Sequence, residues 1–340
     1  MQRGYPMADP HVVVVGASLG GVGALLRIAS LLPAQFPAII AVTLHIGAQP
    51  SILPELLSRR GPNRAVHPRD GDRPEPGKIY VAPPDHHLLL EPQGIHLARG
   101  PRENHVRPAI DPMFRSAAIG WGSRVIGVVL TGELDDGTAG LAAIKKCGGT
   151  AIVQDPQEAA ARCMPQSALD NVEVDHCLPL DQIVPLLERL VARDGVGSGR
   201  LPPEHLLREH ASSQGSGHMS DLSTIGSVSN LTCPECGGAL WELADDRPLR
   251  YRCHTGHAYT ALSLDDAQAG AVDHGLAATL RALREREFLL LRLASVNDAA
   301  GDRAQADVGR REAARVRAQA AELERMAKTS TPSNAPSAAA

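Results

Sequence analysis

Aromatic side chains are nearly missing from this chain: three Phe, four Tyr and two Trp in 340 residues. With 43% apolar residues there is still material for a sizeable core, which must then be aliphatic. No apolar run approaches the ~18 residues of a membrane-spanning helix, so no membrane span is expected. Charge of one sign is not in excess either. There are 34 Lys and Arg against 38 Asp and Glu, a net −4, which offers no basic face for a nucleic-acid partner. The first strand-like run begins at His11, leaving no room for the apolar segment of a signal peptide. A cytoplasmic location is expected. Cysteines number six, and in a reducing compartment they should stay unbridged. Cys147, Cys163 and Cys177 are scattered among apolar residues, whereas Cys233, Cys236 and Cys253 cluster. Length suggests about two domains at roughly 150 residues each.

Residues 11–195 alternate strand-like and helix-like runs. Val12-Val13-Val14-Val15 reads as a strand buried on both faces, and 22–31 as a helix. Strands follow at 38–45, 78–82, 125–130 and 151–154, helices at 109–119, 137–146 and 180–191, and a hairpin around Pro92-Gln93-Gly94. This alternation predicts an α/β fold with a mostly parallel, doubly wound sheet covered on both faces. Residues 196–230 turn to Gly, Ser, Pro and charge, the texture of a flexible linker. A zinc-ribbon-like segment is expected at 231–260. A helical hairpin or coiled coil follows at 261–328, its apolar face carried by Leu276, Leu280, Leu283 and Leu290. A disordered tail is expected at 329–340.

Gly16-Ala17-Ser18-Leu19-Gly20 has the form G-x-S-x-G between a strand and a helix. Flanking glycines permit a tight turn that exposes the hydroxyl. The following helix start offers unpaired N–H groups for a developing oxyanion. A nucleotide-binding loop is the competing reading of such a turn. Against it, Ser18 stands where the dinucleotide fingerprint has its second glycine, and no phosphate-gripping lysine follows. His45 ends the second strand-like run and Asp136 follows a later one. Functional side chains of parallel sheets gather beyond strand carboxyl ends, so the three form a candidate Ser–His–Asp set. Taken singly, His45 is as well explained as a core or capping residue, and Asp136 better as a helix N-cap. The order Ser, His, Asp departs from that of α/β-hydrolases.

Further motifs accompany these residues: Gly16-Ala17-Ser18-Leu19-Gly20-Gly21, the strand ending at His45, Asp70-Gly71 before Pro76-Gly77-Lys78-Ile79-Tyr80-Val81-Ala82-Pro83, Asp85-His86-His87, His105-Val106-Arg107-Pro108-Ala109-Ile110-Asp111-Pro112-Met113-Phe114, Leu130-Thr131-Gly132, Asp136-Gly137 and Met164-Pro165. In this order they make residues 12–194 resemble the catalytic domain of the chemotaxis protein-glutamate methylesterases (CheB). The resemblance implies that Ser18, His45 and Asp136 form a catalytic triad needing no cofactor. It implies a methylated chemoreceptor, a helical coiled coil, as partner, and methanol release from its glutamate methyl esters in chemosensory adaptation. Deamidation of receptor glutamines occurs in some members of that family. Leu19 replaces the family's usual Thr or Ser. Glu133 interrupts the usual Gly-Met-Gly, and either acts on the base through its charge or faces solvent. Leu19, Gly20 and Glu133 are expected around the oxyanion site or cleft. The best-known members carry a phosphoacceptor receiver before the esterase. Only about ten residues precede the first strand here, so self-regulation of that kind is not expected.

His105 and Arg107 are candidate substrate contacts, Arg107 because a guanidinium can grip receptor carboxylates. A solvated loop is the competing reading of His105. His86 and His87 are expected at the rim, and Cys163 as a small packed residue. Cys233-Pro234-Glu235-Cys236, Cys253 and His257 match a structural zinc site, with His254 as an alternative fourth ligand. This segment resembles the C-terminal extension of certain receiver-less members of the same family. The alternative function, from another class, is a non-catalytic adaptor in a chemosensory array.

Overall fold

The computed structural model describes residues 10–47, 49–193, 201–213, 219–244 and 247–330. The chain divides into two compact units, residues 1–265 and 266–340.

In the first unit β1 (His11–Ala17), β2 (Ala38–Leu44), β3 (Arg64–Val66), β4 (Lys78–Val81), β7 (Val125–Val129), β8 (Thr150–Gln154) and β9 (His176–Leu178) form one sheet in the order β3-β4-β2-β1-β7-β8-β9. Every pairing in it is parallel. Helices α1 (Gly21–Leu31), α2 (Leu53–Arg60) and α6 (Leu180–Val191) cover one face, and α3 (Ile110–Trp121), α4 (Thr138–Lys146) and α5 (Cys163–Asn171) the other. The four valines of β1 show why this strand is central. Val13 and Val15 join the core under α1 and α6, Val12 and Val14 the core under α3 and α4, since successive side chains of a strand point to opposite faces. The expected doubly wound parallel architecture is present. Strands β5 (His87–Glu91) and β6 (Gly94–Ala98) make the expected hairpin. Helices α2 and α5 and strands β3 and β9 were not anticipated.

Helix α7 (Glu204–Ser213), helix α8 (Met219–Ile225) and the start of β10 (Gly226–Thr232) occupy much of the stretch expected to be linker. Its composition misled because α7 is held by only two buried side chains, Leu206 in the core beside α3 and the carboxylate of Glu209, which pairs with arginines distant in sequence. Residues 201–203 are irregular, whereas 196–200, 214–218 and the expected tail beyond Ser330 lie outside the described residues. Strands β10, β11 (Ala239–Leu243), β12 (Arg250–Cys253) and β13 (Ala258–Thr260) form a small antiparallel sheet.

Helices α9 (Ala261–Ala299) and α10 (Arg303–Ser330) follow. In the second unit, Leu276, Leu280, Leu283 and Leu290 are half-buried, as their helical spacing predicts. Ala294, Ala306, Ala313 and Val316 are fully buried. A Cβ at Gly309 would lie 3.2 Å from that of Ala294, so the two helices approach closely there. No helix among the described residues is long and apolar enough to cross a membrane.

Candidate active site

The sheet order places the site. From β1 the chain first builds outward through β2, then crosses to β7 on the other side of β1. Strand β1 is therefore the topological switch point, where the carboxyl ends of neighbouring strands leave a crevice. Ala17 pairs with Leu44, and Gly16 with both Thr43 and Val129. Ser18, His45 and the 130–136 loop consequently leave the same edge side by side.

The turn at Ser18 is fixed by its backbone. Ser18 N–H donates to Thr131 O (2.9 Å), and Gly21 N–H to Ser18 O (2.8 Å). Thr131 Oγ1 donates to Leu19 O (2.8 Å). Gly20 has φ +77°, the left-handed region that glycine adopts without strain. Gly132 lies so close that a Cβ there would meet Ser18 Cβ at 2.8 Å and Met164 Sδ at 2.0 Å. Ser18 N–H is thus committed, whereas no hydrogen bond from Leu19 or Gly20 N–H occurs among the described residues. These two N–H groups open α1 and are the local donors suited to an oxyanion. Leu19 is 60% exposed and takes no part in the core.

Ser18 Oγ donates to His45 Nδ1 at 3.1 Å, and His45 Nε2–H to Asp136 Oδ2 at 2.7 Å. Asp136 sets the tautomer: a carboxylate accepts, so Nε2 carries the proton and the Nδ1 lone pair faces the serine. The histidine and aspartate side chains are 14% and 3% exposed. Burial opposes charge on Asp136. The His45 hydrogen bond and charge, the N–H of Ile110 and the Asn104 amide outweigh it and hold the carboxyl below its ordinary range. Its neighbour Asp111 behaves oppositely, pushed well up by burial and by the charge of Asp136. The arrangement can move a proton from a hydroxyl to an imidazole whose cation a buried carboxylate stabilises.

Asn104 and Asp111 were not singled out as site residues. Asp111 accepts N–H bonds from Gly137 (3.0 Å) and Gly140 (2.6 Å), fixing the start of α4 beside Asp136. Asn104 donates to Asp136 Oδ1 (3.0 Å) and to Asp111 Oδ2 (2.9 Å). Asp111 had a sequence signal in its place within the 105–114 motif; Asn104 lies just before that motif.

The remaining candidates divide. Glu133 is exposed and touches the Cys163 thiol, whose ionisation it opposes. Cys163 is exposed at the start of α5, not packed as expected. Arg107 is already engaged: it grips Asp85 (2.6 and 2.9 Å) and Gly100 O (2.7 Å), so its guanidinium holds this loop instead of standing free for substrate. The pairing with Arg107 and Arg99 holds Asp85 below the usual carboxylate range. His105 is half-buried and held by the chain, not set in a solvated loop. Its Nε2–H donates to Ser263 O (2.8 Å), and its ring meets Tyr259 edge-on. His87 is fully buried instead of at the rim. It donates to Pro101 O (3.0 Å) and accepts from Ala109 N–H (3.2 Å), and burial lowers its pKa toward the neutral ring that these bonds require.

Comparison with known proteins gives the family. The CheB methylesterase family model matches residues 13–187, more than half of the 340-residue chain. The chain belongs to the CheB methylesterase family. A Leptospira interrogans candidate protein-glutamate methylesterase/protein-glutamine glutaminase is 38% identical over 186 residues, 53% of this chain and 94% of the relative. A Caulobacter vibrioides protein-glutamate methylesterase/protein-glutamine glutaminase is 38% identical over 194 residues, 54% of this chain and 55% of the relative. The crystal structure of the Thermotoga maritima CheB methylesterase catalytic domain superposes with a TM-score of 0.52 at 34% identity, covering 54% of this chain and all of that one.

Outside the CheB methylesterase match, Cys233, Cys236, Cys253 and His257 come together, their ligand atoms all within 4.8 Å of one another. Cys236 and Cys253 Sγ are 3.7 Å apart; His257 Nδ1 is 3.7 Å from Cys233 Sγ and 3.5 Å from Cys253 Sγ. A tetrahedral ion bound at about 2.3 Å to sulfur and about 2.05 Å to nitrogen would space its ligands ~3.8 Å S–S and ~3.6 Å S–N. The four residues fit such an ion and could hold it. His254, the alternative ligand, is exposed and packs on Gly238.

Proposed function

We propose that this CheB methylesterase hydrolyses glutamate methyl esters on chemoreceptors through an acyl-enzyme on Ser18. His45 Nδ1 takes the hydroxyl proton as Ser18 Oγ attacks the ester carbonyl, and Asp136 orients the imidazole and stabilises its cation. The Leu19 and Gly20 N–H groups receive the developing oxyanion, each such donor contributing about 10²–10³ in rate. The imidazolium returns its proton to the departing methoxide, releasing methanol. Water, deprotonated by His45, then attacks the acyl-enzyme and frees the glutamate. Glutamine deamidation uses the same acyl transfer with ammonia leaving, and the double name of the relatives supports it. No step calls for a cofactor.

The continuous Ser18–His45–Asp136 relay at the switch point carries this reading. An adaptor without catalysis would have no need of a serine hydrogen-bonded to a histidine whose far nitrogen is buried on a carboxylate. The partner is the methylated helical receptor, met in the cytoplasm. In the extension, zinc on Cys233, Cys236, Cys253 and His257 is structural. Three thiolates and an imidazole suit Zn²⁺ and leave no open position for substrate.

The test is methanol release from methylated receptor by wild type and Ser18→Ala. Wild type should release methanol, and the variant should be slower by at least about 10³-fold. Equal rates would remove the reading.

A further inference from the structure

The small sheet beyond the family match is bonded into the loop that steadies the triad. Asn104 N–H donates to Ala258 O (2.8 Å), and Ala258 N–H to Arg102 O (3.3 Å), so β13 runs alongside this loop. The Asn104 side chain is buried at 6% exposure. Its amide oxygen accepts from Thr260 N–H (3.1 Å) and Ser263 Oγ (2.8 Å). Its amide nitrogen donates to Asp136 and Asp111. The reverse orientation would set the NH₂ against the Thr260 N–H and the oxygen against the ionised Asp136, so these two partners determine how the amide points. Next to it, Thr260 Oγ1 donates to Asp135 Oδ1 (2.7 Å), one residue before the triad aspartate.

A second route reaches the same loop. Arg252 is fully buried and bonds Glu103 Oε1 (3.0 Å), the residue before Asn104. It shares a cluster with Arg115 and Glu209, and donates to Gly256 O (2.9 Å). Cys253 follows Arg252 directly, and His257 precedes Ala258. Two of the four metal-ligating residues are therefore chain neighbours of the residues that clamp Glu103 and Asn104.

We infer that the metal-stapled extension is a positioning element of the esterase site: the Ser263 hydroxyl and the Thr260 N–H, set in place by the Cys253 and His257 ligands, orient Asn104 and through it Asp136, while the Thr260 hydroxyl holds Ser263 and the adjoining Asp135. This rests on the Ser18 acyl-enzyme reading. None of these side chains needs to touch the ester. Their loss should act on the proton relay, lowering kcat and the reactivity of Ser18 while leaving KM unchanged. Each hydroxyl removed should cost about three- to tenfold in rate, the range of one net hydrogen bond.

The test uses the full chain and measures the rate at which a fluorophosphonate labels Ser18, kcat and KM for methyl-ester hydrolysis, and amide hydrogen exchange. Ser263→Ala and Thr260→Val should each slow labelling and kcat about three- to tenfold at constant KM; Thr260→Ser should restore both. Removing the metal with a chelator should slow labelling by at least tenfold and speed exchange in 102–111 while β1, β2 and β7 stay protected. Re-adding Zn²⁺ should reverse this. Wild-type labelling rates in both hydroxyl variants would overturn the inference. So would metal-free protein with 102–111 still protected, or exchange rising equally in β1, β2 and β7, which would mean general destabilisation. Wild type that hydrolyses the ester without labelling at Ser18 would instead sink the acyl-enzyme reading on which the inference stands.

Discussion

Asp136→Asn is the substitution that separates a working relay from a merely well-packed aspartate. Oδ2 accepts from His45 Nε2 (2.7 Å) and Ile110 N–H (2.6 Å); Oδ1 accepts from Asn104 Nδ2 (3.0 Å) and Asp111 N–H (3.2 Å). An asparagine must place its NH₂ on one side or the other, and on either side it faces two donors. On the His45 side it also forces the imidazole to present a lone pair to position 136 and its proton to Ser18, the wrong tautomer for a base. Loss of about 10⁴ in kcat is the scale for that error in a serine triad, about 5.4 kcal/mol of barrier at 1.36 kcal/mol per decade. Stability should fall as well. Two hydrogen bonds to a charged acceptor are broken, about 1.5–3 kcal/mol each. Part is recovered because Asp111, raised by the nearby charge, is relieved when position 136 becomes neutral. A net loss of about 2–4 kcal/mol is expected. The assay is methanol release together with urea unfolding of the same preparations. Activity within tenfold of wild type would refute the account of His45 and Asp136. Full stability with lost activity would refute the count of donors around Asp136.

Three further perturbations probe other parts. Burial pushes the Asp135 carboxyl up to about 6; the folded chain therefore holds this proton when the unfolded one has lost it, and stability falls as pH rises from about 4 to 6. Asp135→Asn should cancel that fall, gaining up to about 3 kcal/mol on wild type between pH 4 and 7, and unfolding curves with the same pH slope for both proteins would contradict it. Gly132→Ala puts a methyl 2.0 Å from Met164 Sδ and 2.8 Å from Ser18 Cβ; it should cost about 1–3 kcal/mol in stability and at least about 10²-fold in kcat by displacing the serine, and a fully active variant would show that the contact does not hold Ser18. Arg252→Met removes a buried partner of Glu103 and Glu209, both of which keep Arg115; a loss near the low end of about 3–5 kcal/mol is expected in urea unfolding, and no measurable loss would contradict the buried network.

The parts of this molecule that could be read from sequence are those governed by near neighbours. The valine run of β1, the glycine-flanked Ser18 and the placement of His45 and Asp136 after strands all follow from local pattern plus the strand-end rule. Helix α2 escaped because its eight residues carry Pro54, Glu55, Arg59 and Arg60, with three buried positions at most. Helix α5 opens on Cys163-Met164-Pro165, read only as a motif. His87 was misplaced because the prolines before it signal a turn, yet it begins β5, whose next three residues are all fully buried. Composition concealed α7, since Glu209 is buried by arginines at 115, 250 and 252, separations at which no periodicity exists. Asn104 was illegible for the same reason: its partners are Asp136 on one side and Thr260 and Ser263 on the other. Cys233, Cys236, Cys253 and His257 were legible because a metal site repeats its ligands at short spacings.

The central claim is that Ser18 Oγ is the nucleophile activated by His45, and a covalent adduct reads it most directly. Full-length protein is treated with a fluorophosphonate, digested, and the modified peptide sequenced by mass spectrometry. A single adduct on Ser18 is expected, absent in Ser18→Ala and slowed by at least about 10³-fold in His45→Ala. An adduct on another residue, or labelling of Ser18 at an unchanged rate without His45, would contradict it.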